Sequence, residues 1–561
     1  MRLLEHFKEL SLYPKNTEEL KGLILQLAVE GKLTVNWRKE NPGIKDASEL
    51  FDQVRTHNIE LLQSKKRKVK KKALEDNLIL GVPDTWIQVK NQDLFTLQKG
   101  KNPKDLSERV MKYPYQDIEA LDRGNIRRYS NDEKAPKCTD EDILVVCDGS
   151  RSGLVLNGRA GIVGSTLAII ETPKFIQEYV KILFLQDYKR ANANMKGAAI
   201  PHLDTNVLLA TDVGFPPLEE QNAIVELVNN LFAEVEQLES LTKERIQLKE
   251  SFVVSALTRL TEAENTQKEW NFLQQHFSSF FTEKKNIKSL RETILQLAVQ
   301  GKLTESWRAN NPNTEPASEL LKRIEAEKQK LITDKKIKKE KPLSAVGEDE
   351  MPYELPVGWG WCRFGKLISF LNGYAFKSST YVPSSNYQVI RLGNVKNDKF
   401  LVNTKEAYVP KIIGDKANGY KLYKDDILTT LTGTKNKRDY CFTCLVKNEH
   451  LEERILLLNQ RVGCIRAVDK STSELMNMFL KAEPILDQLF ATETGTVNQG
   501  NIGSTAYKNL VFPLPPIQEQ RAIVEKVNSL MALSDQLEEA ITLKEEQTAL
   551  LMQSCVAVAL A

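Results

Sequence analysis

One segment of this chain occurs twice. ILQLAVEGKLTVNWRKENP, Ile24 to Pro42, returns as ILQLAVQGKLTESWRANNP, Ile294 to Pro312, with 14 of 19 positions identical at a constant offset of 270 residues. The phase holds into Ala47-Ser48-Glu49-Leu50 and Ala317-Ser318-Glu319-Leu320. Solenoid repeats have periods of roughly 20 to 50 residues, so a period this long describes two copies of a multi-domain plan. Whatever this chain folds into must be built twice, in fixed order, from one polypeptide.

Length and charge narrow the class. With 561 residues and about 150 residues per domain, three to five domains with their own cores are expected. The net charge of +3 does not by itself announce a polyanionic partner. No apolar run approaches the roughly 20 residues of a membrane span, and no signal peptide opens the chain. The seven cysteines are sparse and odd in number, which predicts free thiols and a cytoplasmic location.

Each half opens on helices. Leu20, Leu23, Ile24, Leu27 and Ala28 form an apolar stripe at helical spacing. Asn16 with Glu19 resembles a capping pair, and Gly31, like Gly301, suits the stop. A second helix is expected from near Ala47 and Ala317. Basic runs follow, Lys65-Lys66-Arg67-Lys68-Val69-Lys70-Lys71-Lys72 and Lys335-Lys336-Ile337-Lys338-Lys339. They read as solvated linkers, as phosphate contacts acting by counterion release, or, third, as a nuclear address.

A Pro-x-x-Trp turn, Pro83 to Trp86 and Pro356 to Trp359, then starts a strand-rich region in each half. These regions differ far more than their flanks. They still share a skeleton: Asp142-Ile143-Leu144 with Gly149-Ser150-Arg151, and Asp426-Ile427-Leu428 with Gly433-Thr434-Lys435, at one spacing. One scaffold with two different surfaces is the expectation. Each half closes on a proline-headed helix. Ile523, Val527, Leu530, Leu537, Ile541, Leu551, Cys555 and Val558 step by threes and fours, interrupted by the polar Ser534, Lys544 and Thr548. In the first copy the seam reads Ile224, Val228, Leu231, Val235 and Leu238, then shifts to Leu241, Leu248 and Phe252. That is coiled-coil patterning over about 60 Å of helix, and each long helix is the natural partner of the other, the alternative being two long helices packed on their own domains.

Three motifs carry a resemblance to a known family. They are Pro-Pro-Leu/Ile-x-Glu-Gln-x-Ala-Ile-Val at the head of each long helix, ILQLAVQGKL with Ala317 to Ala326, and Asn372-Gly373-Tyr374-Ala375-Phe376-Lys377-Ser378. The chain resembles the specificity subunit of Type I restriction-modification enzymes, in its long form with duplicated halves. Leu97-Gln98-Lys99-Gly100 departs from the Gly-x-Ala-Phe-Lys pattern in the first region. The resemblance implies an α+β fold with a pseudo-twofold internal repeat. Two strand-rich target-recognition domains, 81–215 and 351–512, would be separated by two long antiparallel coiled-coil helices, 216–262 and 513–561. Helical segments at 1–80 and 263–350 would precede the domains. It implies double-stranded DNA as ligand and a bipartite target. Two methyltransferase subunits and restriction-translocation subunits would be the partners. S-adenosylmethionine, ATP and magnesium would belong to those partners, and no cofactor to this chain.

The residues agree that the chain is not itself an enzyme. No Asn-Pro-Pro-Tyr methylation motif occurs. Gly360 to Lys366 mimics a phosphate loop, but Leu367 stands where a magnesium-binding hydroxyl is needed. Cys441, Cys444, His450 and Cys464 supply one tight pair where a zinc site normally uses two. The competing readings are a stand-alone DNA methyltransferase or nuclease, and a coiled-coil protein that binds only proteins. Arg and Lys read guanine in the major groove, and Asn and Gln read adenine. Residues 352–512 carry 21 Lys and Arg against 15 Asp and Glu, while residues 84–215 carry 18 of each, so local geometry must do the reading in the first domain. The candidates there are Lys99, Lys101, Arg123, Arg127, Ser150, Arg151 and Lys196. In the second domain they are Lys377, Arg391, Thr434, Lys435, Lys437, Arg438, Asn498 and Gln499. For each, an ordinary solvated charge or a phosphate contact is the alternative.

Overall fold

The computed structural model describes residues 16–65, 81–193, 202–263, 265–452, 454–496 and 498–560. Lys66 to Lys72 and Lys196 lie outside the described residues, as do the side chains of Cys555 and Val558. The chain divides into two compact units, residues 1–246 with 545–561, and residues 247–544.

In the first unit, helices Asn16–Val29, Val35–Glu40 and Ser48–Ser64 form the repeated module. The Pro83 carbonyl then accepts from the Trp86 amide at 2.9 Å, turning the chain into strand Ile87–Lys90. That strand pairs antiparallel with Asp212–Phe215, which leads straight into the first long helix, Leu218–Glu262. The two strands thus close the recognition region at its neck. Inside it lies an antiparallel sheet in the order 96–99, 167–171, 143–146, 155–157. In a second sheet, Tyr115 and Gln116 run parallel to Ile162 and Val163. Strand Ile143–Val146 is buried throughout, as its unbroken Ile-Leu-Val-Val run requires.

The second unit repeats this plan. Helices Lys284–Val299, Glu305–Asn310 and Ala317–Thr333 form its module. Strand Gly360–Arg363 pairs antiparallel with Val511–Leu514. The sheet order is 368–372, 462–467, 427–430, 443–445, and Tyr387–Ile390 runs parallel to Ile455–Leu458. The architecture is α+β with two strand-rich domains, as expected. Divergence of sequence has left the strand order of the main sheet and the parallel pair intact.

The near-identical flanks have a structural cause. Arg38 donates from Nη1 to Glu220 Oε1 at 2.5 Å, and from Nη2 to the Gly31 carbonyl at 2.7 Å. Thr34 Oγ1 donates to the same carboxylate at 2.7 Å. In the second unit Arg308 reaches Glu519 Oε1 at 2.6 Å and the Gly301 carbonyl at 2.7 Å, and Thr304 donates to Glu519 at 2.7 Å. Both glutamates are fully buried. Each therefore clamps a repeated module to the head of its long helix, where a negative charge also suits the helix dipole. Gly31 and Gly301 sit at φ +69° and +72°, and a Cβ there would meet Pro83 or Pro356 at 2.6 Å. Only glycine fits both demands.

The long helices hold 45 and 44 residues, roughly 66 Å each. Within the first unit, Val235 clusters with Leu20 and with Met552 near the tail of Ile517–Leu560. Within the second, Leu260 near the tail of the first helix lines a cavity with Lys526 and Leu530 near the head of the second. In each unit, therefore, a stretch of one long helix lies beside a stretch of the other.

Three details of the expected seam are corrected. Thr242, Ser534 and Thr548 are buried, one heptad from Val235, Val527 and Ile541 respectively. These polar residues continue the seam and do not break it. Leu241 and Leu248, assigned to a phase shift, are 53% and 64% exposed. Met552 is buried while Leu551 is only partly so. Ile224 and Val228 belong to the core of their own unit, as Ile523, Val527 and Ile541 do to theirs. Leu231, Leu238, Leu530 and Leu537 are half-buried.

Candidate nucleic-acid interface

The two central strands end at equivalent places. After Ile143–Val146 the Cys147 carbonyl accepts from the Leu203 amide at 2.8 Å, and Asp148 bridges to His202. After Ile427–Thr430 the Leu431 carbonyl accepts from the Ile502 amide at 3.0 Å, and Thr432 pairs with Asn501. Both tie the strand end to the segment just ahead of the closing helix and strand. The frame is one, and the side chains on it differ.

In the first unit that position is charged. His202 Nδ1 lies 2.6 Å from Asp148 Oδ1, and Lys99 Nζ lies 3.1 Å from Asp148 Oδ2. Burial resists ionisation of Asp148, but the bonds from His202 and Lys99 outweigh it and hold the carboxyl below its usual range. Gly149, at φ +106°, turns the chain. Ser150 and Arg151 follow it, exposed, and Arg151 pairs with Asp122 at 2.9 Å, next to the exposed Arg123. That hydrogen bond from Arg151 holds Asp122 low. Lys101 is exposed, with its amide bonded to the Val163 carbonyl at 3.0 Å. Arg127 stands apart, paired with Glu119 at 2.6 Å.

In the second unit the same position is neutral and extended by a hairpin. Thr432–Gly433, Gln499–Asn501 and Thr494–Thr496 form a three-stranded patch. It brings Thr434, Lys435, Asn498 and Gln499 together. The Thr434 amide donates to Asp439 at 2.7 Å, and Lys435 Nζ donates to the Gly495 carbonyl at 3.2 Å. Asn498 and Gln499 are exposed at the hairpin tip, and Lys437 is exposed beside it. Two other candidates, Arg438 and Arg391, are engaged elsewhere. Arg438 is held between Glu483 at 2.9 Å and Asp487 at 2.6 Å, over the Phe490 ring. Arg391 is half-buried against Tyr381 and bonds the Lys405 carbonyl. Lys377 is exposed at the start of a short turn.

The departure of Leu97-Gln98-Lys99-Gly100 from the Asn-Gly pattern is a change of side chains on one backbone. A Cβ on Gly100 would lie 2.1 Å from the Gly164 carbonyl oxygen, and one on Gly373 would lie 2.1 Å from that of Asn459. Lys99 thus occupies the place of Asn372. The cysteines of the second unit are packing groups: burial pushes the Cys441 and Cys444 thiols up to about 12. Among the described residues no cluster of three or more His, Cys, Asp or Glu is set to hold a metal, and no helix is long and apolar enough to cross a membrane. Asp148 and His202 escaped the sequence reading. They stand 54 positions apart, and no local pattern joins them.

A family model of the Type I restriction modification DNA specificity domain matches residues 83–250 and again 356–546. The chain is 28% identical to the Type I restriction enzyme EcoAI specificity subunit of Escherichia coli, over 94% of this chain and 92% of that one. It is 27% identical to the EcoEI specificity subunit of the same organism, over 93% and 90%. Among solved structures, a chain from a study of Type I restriction-modification complex assembly and conformational transition aligns over 85% of this chain and 98% of its own, at 16% identity and a TM-score of 0.46.

Proposed function

This chain belongs to the Type I restriction-modification DNA specificity family, and from that premise we propose that it reads a bipartite sequence in double-stranded DNA. The two strand-rich domains, 81–215 and 351–512, are the readers, and the two long helices are the spacer between them. Two methyltransferase subunits and restriction-translocation subunits assemble on the chain and bring the chemistry. S-adenosylmethionine, ATP and magnesium are theirs. The relatives are specificity subunits, and nothing among them favours a stand-alone methyltransferase or nuclease.

The observation that carries this reading is the pair of equivalent strand ends. Asp148, His202 and Lys99 stand where Thr432, Asn501 and Asn372 stand in the other unit. Base edges are told apart by donors and acceptors: a carboxylate accepts from cytosine N4, a lysine donates to guanine, and an asparagine pairs with adenine. Two copies of one frame with different polar side chains at one register are what two unlike half-sites demand. The remaining candidates, the exposed Lys101, Arg123, Ser150 and Arg151 in one domain and the exposed Lys377, Lys437, Asn498 and Gln499 with the half-buried Thr434 and Lys435 in the other, are assigned to phosphates or flanking bases.

Methylation mapping of DNA from cells that express the chain with its cognate methyltransferase tests the reading. Modification confined to one split motif is expected. Removing seven residues from each long helix, around Leu238 and Leu537, should change the tolerated gap between half-sites and leave both halves alone. An unchanged gap with binding intact would show that the helices do not set the spacing.

A further inference from the structure

Folding does not account for one identity in the short helices of the repeat. The short helices Val35–Glu40 and Glu305–Asn310 read VNWRKE and ESWRAN. Four of the six positions have changed, and only Trp37/Trp307 and Arg38/Arg308 are retained. The arginines are explained, because each is clamped to a buried glutamate. The tryptophans are not. Each is partly exposed, and among the described residues neither packs against a hydrophobic core cluster of its unit.

The backbone presents both in the same way. Asn41 Nδ2 donates to the Trp37 carbonyl at 2.8 Å, and Asn311 Nδ2 to the Trp307 carbonyl at 2.8 Å. The two asparagines end their helices at φ −125°, ψ 58° and φ −130°, ψ 55°. An exposed proline follows each, Pro42 and Pro312. Common descent alone does not explain the match. Ten residues further on, FDQVRTHNIE and LKRIEAEKQK, residues 51–60 and 321–330, share no position. Exposed residues have therefore had ample opportunity to drift, and these did not.

A large amphipathic side chain left partly in water is costly unless something covers it, and tryptophan is enriched among residues that dominate protein interfaces. The same residue offered twice on the same backbone selects the same partner twice. We propose that Trp37 and Trp307 each anchor one copy of a single partner subunit. Resting on the function proposed above, that partner is the methyltransferase subunit. Each indole enters an apolar pocket of the partner, with Asn-Pro at the rim.

Native mass spectrometry of the full chain with its cognate methyltransferase subunit reads the result directly. The wild type takes up two copies. Trp37→Ala and Trp307→Ala each weaken one copy by about 10-fold or more, leaving one bound at limiting concentration, and the double variant takes up none. Trp37→Phe retains more of the second copy than Trp37→Ala does, while the melting temperatures of all variants stay at the wild-type value. Uptake of two copies with unchanged affinity by both alanine variants overturns the inference. So does loss of both copies from a single substitution. A wild-type chain that takes up no methyltransferase subunit overturns the functional reading and this inference together.

Discussion

The two glutamate clamps are built from the same residues and differ by one hydrogen bond. Glu519 accepts from Thr304, Arg308 and also Trp359, whose Nε1 lies 2.8 Å from Oε2. Glu220 accepts from Thr34 and Arg38, while its Oε2 and the Nε1 of Trp86 are buried without a hydrogen-bond partner. A duplicated sequence therefore does not guarantee duplicated energetics. The first clamp leaves two polar atoms desolvated and unpaired, a costly state for each. The strand ends make the complementary point: there the geometry is repeated and the side chains are not.

The sharpest test of the clamp comparison has the largest effect. Removing one partner of a buried ion pair costs about 3–5 kcal/mol, so Glu519→Ala should destabilise the second unit by that amount in chemical denaturation. Glu220→Ala should cost the first unit about 1.5–3 kcal/mol less, the contribution of a hydrogen bond to a charged group. Equal losses would mean that the Trp359 bond contributes nothing and that the two clamps are equivalent.

The strand-end comparison has a middle-sized consequence. Asp148→Asn and His202→Ala should each alter recognition of one half-site by about 1–3 kcal/mol per base contact, read as relative binding to a panel of single-base variants. The other half-site should keep its preference. Thr432→Ala and Asn501→Ala should do the reverse. A uniform loss across all sequences would place these residues on the phosphates.

The smallest effect is one of pH. Asp148 has a folded pKa below its usual value, so the stability it contributes is complete above the ordinary carboxylate range. It fades as pH falls through the lowered value, that is, below about pH 4. Asp148→Asn should remove that part of the acid dependence from the first unit, measured as melting temperature against pH. Thr432, at the matching position, has no charge to lose.

Much of the architecture was legible because it is written locally. The helix of Leu20 to Ala28, the left-handed glycines, the Pro-x-x-Trp turns and the proline-headed long helices all depend on neighbours within a few residues. The shared spacing of Asp142 to Arg151 and Asp426 to Lys435 was legible too, and Thr434 and Lys435 follow the short strand Thr432–Gly433. The seam was read less well. Hydropathy steered it toward Leu241 and Leu248, whereas strict heptad spacing from Val235 buries Thr242, and Ser534 and Thr548 follow the same rule. The surroundings of the candidate residues were not legible, since charge at a turn does not reveal whether two carboxylates already hold it, as they do Arg438.

By itself the sequence determined that this chain is one plan executed twice, with like flanks around unlike centres, because identity at a fixed offset and helical periodicity need no knowledge of distant contacts. Only the tertiary structure decided that Asp148 meets His202 and Lys99, that Gly100 and Gly373 are the same position, and that Glu519 holds a tryptophan which Glu220 does not. Those pairings join residues tens to hundreds of positions apart. Strand register and buried polar partners are settled by packing, which no local pattern encodes.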